Sequence, residues 1–282
     1  MIFGAITNSW RLQLEGHDLA ILVKEARDRG ARHVELRQTC LGDCETGQGD
    51  DWRPVIANLR TLVEAFPDLS FDLAMAWPCL SKKTDPSGEQ FQAALQGARI
   101  VGRDQPHLRI VDPIRFDHAW ETTDQIPAEA LALADLAREA ARQGVILSIE
   151  NSGQPICSMA LLVRQSRARL SAREGVYLGL CPDAANQLRS YPDSDPVREL
   201  AMLPSDMLKI VHIKQARGGK PHPTVDAGDL DCARILRVLE AKGYRGPAIM
   251  EIPPHEMIFD NLSASFAYLH AVASQAQSGR FV

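Results

Sequence analysis

A chain of 282 residues, 45% of them apolar, can bury one large core, and a β/α barrel needs about 250 residues, so a single domain over residues 1–282 is expected. A formal charge of −5, no dense Lys/Arg block and scattered aromatics at 6% speak against a nucleic-acid partner, and no apolar run approaches the roughly 18 residues that span a bilayer. Six cysteines (Cys40, Cys44, Cys79, Cys157, Cys181 and Cys232) lack a paired CxxC framework and read as reduced thiols; the opening Met1-Ile2-Phe3-Gly4 enters a strand with no secretory leader, so a cytoplasmic location is expected.

In chain order, residues 2–7 form the first strand, ending in Asn8-Ser9-Trp10. Residues 18–29 form an amphipathic helix stopped by Gly30. The second strand, residues 33–37, places His33, Glu35 and Arg37 on one face, and a polar loop over 39–51 precedes a helix over 52–66. A third strand spans about 69–77 and is followed by a Pro/Ser/Lys/Gly-rich loop and a helix over 89–101. Residues 107–112 make the fourth strand, and an Ala/Leu-rich helix over 128–143 stops at Gly144. The fifth strand, Ile146-Leu147-Ser148-Ile149-Glu150-Asn151, is an apolar run that ends abruptly on a carboxylate, with Ser148 and Glu150 on one side and Leu147 and Ile149 on the other. Strands over 176–183, 207–214 and 247–252 complete the set, with helices near 158–170, 194–204, 229–242 and 257–275. Eight strands alternating with eight helices, without a Gly-rich phosphate turn after an early strand, predict an α/β fold of the (β/α)8 TIM-barrel type rather than a doubly wound sheet. The C-terminal rim of such a barrel is where function resides.

Four strand ends carry chemistry there: Glu150, Asp183, His212 and Glu251. Taken singly, Glu150 could be a salt-bridged rim acid, Asp183 a turn or helix-cap residue, and His212 a satisfied core histidine. Glu251 lies between Met250 and Ile252 near the end of a buried strand, where an unpaired charge is costly. Together, at successive strand ends, three carboxylates and one imidazole make a hard donor set suited to one divalent ion: Mn²⁺, Mg²⁺, Co²⁺ or Zn²⁺. Such an ion polarises a carbonyl and stabilises a developing enediolate, while a neighbouring carboxylate takes the adjacent proton.

The stretches Ser148-Ile149-Glu150-Asn151, Leu180-Cys181-Pro182-Asp183-Ala184-Ala185-Asn186, Val211-His212-Ile213-Lys214 and Gly243-Tyr244-Arg245-Gly246-Pro247-Ala248-Ile249-Met250-Glu251, the last preceded by Gly228-Asp229-Leu230-Asp231, resemble the xylose isomerase-like superfamily of TIM barrels. That group comprises sugar isomerases, ketose epimerases, inosose-processing enzymes and apurinic-site endonucleases. The resemblance is strongest over residues 145–253 and implies that Glu150, Asp183, His212 and Glu251 bind one divalent metal. Its epimerase branch further implies that Glu150 and Glu251 serve as the acid/base pair on opposite faces of the substrate. The epimerases place a histidine three residues beyond the strand-six Asp, where this chain has Asn186.

Lys214, on the same face as His212, is expected to hold a substrate oxygen, or else to balance the acids. Arg217, in the following Gly-rich loop, is a candidate for bidentate binding of carboxylate or hydroxyls, or a solvated loop residue. Trp10, Trp77, Glu35 and Arg37, at the ends of strands one to three, and Asn186 complete the expected substrate-binding set, with rim packing the alternative for the two aromatic residues. The leading functional expectation is a metal-dependent isomerase or epimerase of a small carbohydrate. A lyase or dehydratase on a keto-sugar or keto-inositol uses the same proton abstraction, while an endonuclease and a non-catalytic sugar-binding barrel are the more distant alternatives. Homo-oligomerisation is left open.

Overall fold

A computed structural model describes residues 1–278. Eight strands form the barrel: β1 Ile2–Ile6, β2 His33–Arg37, β3 Ser70–Ala76, β4 His107–Val111, β5 Ile146–Glu150, β6 Leu178–Cys181, β7 Val211–Ile213 and β8 Pro247–Met250. All neighbours pair in parallel, and β1 pairs with both β2 and β8. Parallel bridges Leu180↔Leu208 and Asp183↔His212 join β6 to β7 and close the ring. Ten α-helices among the described residues surround or cap it: α1 Leu19–Asp28, α2 Ile56–Ala65, α3 Glu89–Val101, α4 Leu133–Arg142, α5 Ile156–Arg167, α6 Ala172–Gly175, α7 Ala184–Ser190, α8 Pro196–Met202, α9 Cys232–Ala241 and α10 Ile258–Ser278. No helix among the described residues is long and apolar enough to cross a membrane, and the six cysteines are free thiols.

The barrel expected from the alternation is the fold the chain adopts, with local departures. The helix expected over 52–66 begins only at Ile56, because Arg53–Pro54 pairs antiparallel with Glu45–Thr46 and Glu45 accepts the Trp52 indole N–H at 2.6 Å. Between β6 and β7 there are two helices rather than one, since Asp183 caps α7 ahead of the expected α8. The expected Gly-rich loop after β7 is a small hairpin, Ala216–Arg217 against Lys220–Pro221, turned by Gly218 and Gly219 at positive φ.

Strand alternation divides the side chains into two sets. One set packs under the helices and forms the main apolar core, for example Leu36, Leu73, Leu108, Ile110, Leu147 and Ile149. The other set points into the barrel and is unlike on its two halves. Ile6, Cys181, Ile210 and Ile249, from β1 and from the β6–β8 side, form a separate apolar plug. From β2 to β5 the interior is polar and buried: His33, Glu35, Asp72, His107, Arg109, Ser148 and Glu150. At the seam between the halves, a Cβ on Gly4 would lie 2.6 Å from Ile249 Cδ1 and 2.7 Å from the His33 carbonyl, so the close approach of β1 to both neighbours requires glycine.

Candidate metal centre

Glu150 ends β5, Asp183 follows β6, His212 is the middle residue of β7 and Glu251 follows β8. Parallel strands of one barrel end at the same face, so these four side chains meet at its mouth. One donor atom from each lies within 4.8 Å of every other. His212 Nδ1 is 2.9 Å from Glu251 Oε2, 3.4 Å from Glu150 Oε1 and 3.9 Å from Asp183 Oδ2.

Surrounding groups fix these side chains. His212 Nε2 lies 2.9 Å from Glu35 Oε2, which directs Nδ1 to the cluster. Glu35 also accepts two bonds from Arg109 at Oε1, the one from Nε at 2.8 Å, and Arg109 Nη1 lies 2.9 Å from Glu150 Oε2. Asn186 Nδ2 donates to Glu150 Oε1 at 2.8 Å, and Asn8 Nδ2 donates to Glu251 Oε1 at 2.8 Å. Asp183 is held at its backbone by Asn151, which accepts from its N–H at 2.6 Å and donates to its carbonyl at 2.9 Å. Its Oδ1 caps α7 by accepting the Asn186 N–H at 2.8 Å, leaving Oδ2 for the cluster.

Lys214 Nζ lies 2.7 Å from Asp183 Oδ2 and 2.8 Å from Glu251 Oε2, near enough to offset charge but misaligned for a hydrogen bond. Asp183 Oδ2, Glu251 Oε2 and His212 Nδ1 are buried without hydrogen-bond partners. Two orphaned carboxylate oxygens and an orphaned ring nitrogen on one small volume, with Glu150 Oε1 beside them, fit a divalent cation that would take the place of the imidazole proton.

Burial disfavours charge on every carboxylate here. At Glu150 the fields of Arg109 and His212 overcome it and hold the carboxyl below its usual range. At Glu251, Lys214 and His212 overcome it further. At Asp183 burial and the facing Glu150 and Glu251 outweigh Lys214, and the pKa is raised. Burial opposes the His212 imidazolium, but Cys181, Glu35 and Glu150 raise its pKa well above the usual value.

A pocket of about 200 Å³ opens beside the cluster. Its lining combines the polar Asn8, Asn186, Lys214 and Glu251 with Leu188, Ile252, Pro253 and Pro254. The other residues expected around a substrate lie elsewhere. Trp10 is fully buried and stacks on Phe259 at 5.7 Å, and Trp77 is half-buried and stacks on Phe91 at 5.0 Å. Glu35 lies in the barrel interior against Arg109 and His212. Arg217 is exposed on the hairpin and donates to the Ala227 carbonyl and to Asp226. Three residues of the site were not anticipated: Arg109, Asn8 and Asn151. The alternation His107-Leu108-Arg109-Ile110-Val111, which puts Arg109 on the inward face, is the signal that could have found the first.

The sequence profile of the xylose isomerase-like TIM barrel family matches residues 23–272. No curated protein matches the chain significantly. Solved structures are similar in fold. An L-ribulose 3-epimerase is 17% identical with a TM-score of 0.69, over 99% of this chain and 96% of that one. The IOLI protein with a bound zinc atom is 16% identical with a TM-score of 0.67, over 100% and 99%. A xylose isomerase-like TIM barrel protein from Mycobacterium smegmatis in complex with magnesium is 15% identical with a TM-score of 0.64, over 98% and 97%. With eight parallel strands closed into a barrel and a family profile matched along most of its length, the chain belongs to the xylose isomerase-like TIM barrel family.

Proposed function

We propose that the protein is a divalent-metal-dependent isomerase or epimerase of a small polyhydroxy carbonyl compound. The observation that carries this reading is the convergence of Glu150, Asp183, His212 and Glu251 within 4.8 Å beside a pocket. The chemistry of the structural neighbours supports it: they include the L-ribulose 3-epimerase and a D-psicose 3-epimerase solved with D-tagatose. Zinc and magnesium are bound in two others, which supports a hard or borderline ion without choosing among Mn²⁺, Mg²⁺, Co²⁺ and Zn²⁺.

Glu150, Asp183, His212 and Glu251 would hold a divalent ion, which when bound would supply polarisation of a substrate carbonyl. The chain's own groups do the rest. Glu251 borders the pocket with Oε2 in the cluster and Oε1 held by Asn8, and Oε1 is the oxygen that would move a proton on the carbon next to the carbonyl. Glu150 is the second carboxylate of the pair and is joined to the pocket lining through Asn186, which donates to its Oε1. Lys214 presents an ammonium to the same space, where it holds a substrate oxygen; burial opposes its charge, but Asp183 and Glu251 keep it protonated. Asn186, engaged with Glu150 and 3.5 Å from Lys214 Nζ, orients both and offers no proton of its own to transfer.

Incubation with ketoses and inososes in D₂O, with each of the four ions in turn, tests the reading. Deuterium should enter at the carbon beside the carbonyl with the rest of the molecule conserved. Loss of water or of a leaving group would make the enzyme a lyase, and no exchange with any ion would remove the proton-transfer reading.

A further inference from the structure

Arg109 is inside the barrel with 1% of its surface exposed, where an unpaired guanidinium would be very costly. Its register partners on β3 and β5, Ala74 and Ser148, are small and leave the interior volume to it. Nε and Nη2 donate to Glu35 Oε1, while Nη1 lies 2.9 Å from Glu150 Oε2. The second oxygen of Glu35 lies 2.9 Å from His212 Nε2. One planar fork therefore reaches from β2 to β5 and touches two of the four candidate donors, Glu150 directly and His212 through Glu35.

We infer that Arg109 is a positioning residue of the metal centre, setting Glu150 Oε1 and His212 Nδ1 from within the barrel. The inference rests on the metal-dependent reading above. Engagement of Glu150 Oε2 turns Oε1 to the site, and engagement of His212 Nε2 by Glu35 turns Nδ1 to it. Both settings require a rigid, forked donor. A lysine ammonium is a point charge on a flexible stem and cannot hold Glu35 and Glu150 in one plane. Glu35 is thereby a carboxylate partner of a histidine ligand rather than a substrate contact.

The test is Co²⁺ binding, read as the dissociation constant and the d–d absorption of the bound ion, in the wild type and in Arg109→Lys. Both values are taken on protein whose far-UV circular dichroism is native. Arg109→Lys keeps the buried charge and should weaken Co²⁺ binding by about 10- to 100-fold and alter the d–d bands. Arg109→Met alone strands Glu35 as a buried anion and is expected to fold poorly, so the second variant is Arg109→Met with Glu35→Gln, measured against Glu35→Gln alone, relative to which the same loss is expected. A role confined to balancing charge or filling space would leave affinity and spectrum unchanged in both variants, and that result overturns the inference while leaving the metal-dependent function standing. A wild-type protein that binds no Co²⁺ overturns both.

Discussion

Glu150 has both oxygens engaged, Oε2 by Arg109 at 2.9 Å and Oε1 by Asn186 at 2.8 Å, and its side chain is 4% exposed. Glu251 has Oε1 on Asn8 and a side chain 19% exposed beside the pocket, with Oε2 unpartnered by any hydrogen bond. Glu251→Gln keeps the shape and removes the basic oxygen at the pocket, so turnover of any compound that shows exchange should fall by about 10² or more. Glu150→Gln should lower turnover by a similar factor while keeping part of the metal affinity. His212→Ala should instead weaken the metal first, with activity partly restored by excess ion. Steady-state kinetics across an ion titration separates these patterns, and near-wild-type turnover in either glutamine variant would remove that glutamate from proton transfer.

The junction of β6 and α7 combines two tasks in one residue. Asp183 Oδ1 caps α7 and Oδ2 faces the cluster, while Asn151 ties the end of β5 to its backbone. Asp183→Asn should keep the cap and lose the charge at the cluster, so thermal stability should change little while metal affinity falls. Asp183→Ala should lose both, costing about 1 kcal/mol of stability as well. Thermal melts and metal titrations of the pair check this; equal loss of stability in the two variants would show that the cap is not formed by Oδ1.

The four residues that meet at the barrel mouth stood out in the sequence because each interrupts or ends an apolar run near a strand end. β2 and α3 were legible to the residue, and β5 to within one residue, because alternation or periodicity continues up to a clear stop. The seven-residue α7 is too short to show a helical period, and the two-residue strands of both hairpins carry no pattern at all. Glu35 could be placed on one face with His33 and Arg37, but its partners Arg109 and His212 lie across the barrel, and partner choice is not a local property. Trp10 is turned into the core by the short 3₁₀ helix Thr7–Trp10, which no periodicity announces.

Across the whole barrel, the apolar plug of Ile6, Cys181, Ile210 and Ile249 faces a buried polar network on the β2–β5 side. Below the candidate metal centre, Asp72 Oδ1 is 2.8 Å from His33 Nε2 and Oδ2 is 3.4 Å from His107 Nδ1. Burial and the nearby Glu35 push the Asp72 pKa up from 3.8 to about 6, and burial drops His107 from 6.5 to about 3. Folded Asp72 binds its proton before the unfolded chain does, so its contribution to stability is complete below pH 3.8 and is lost as pH rises through about 6. His107 works in the opposite sense: the unfolded chain binds that proton first, and stability is lost as pH falls from 6.5 toward 3. The two trends offset each other between about pH 6 and 4. Asp72→Asn removes the first and leaves the second, so the gap in melting temperature between wild type and variant should widen as pH falls through that window. A gap independent of pH would show that Asp72 does not take up a proton in the fold.

The most direct measurement is a titration of metal-free protein with Mn²⁺, followed by the electron paramagnetic resonance signal of the free ion. Wild-type protein should take up one ion per chain, and a variant combining Asp183→Asn with His212→Ala, checked as folded by circular dichroism, should take up none over the same concentrations. No uptake by the wild type, or equal uptake by the variant, would contradict a metal centre built from the four strand-end residues.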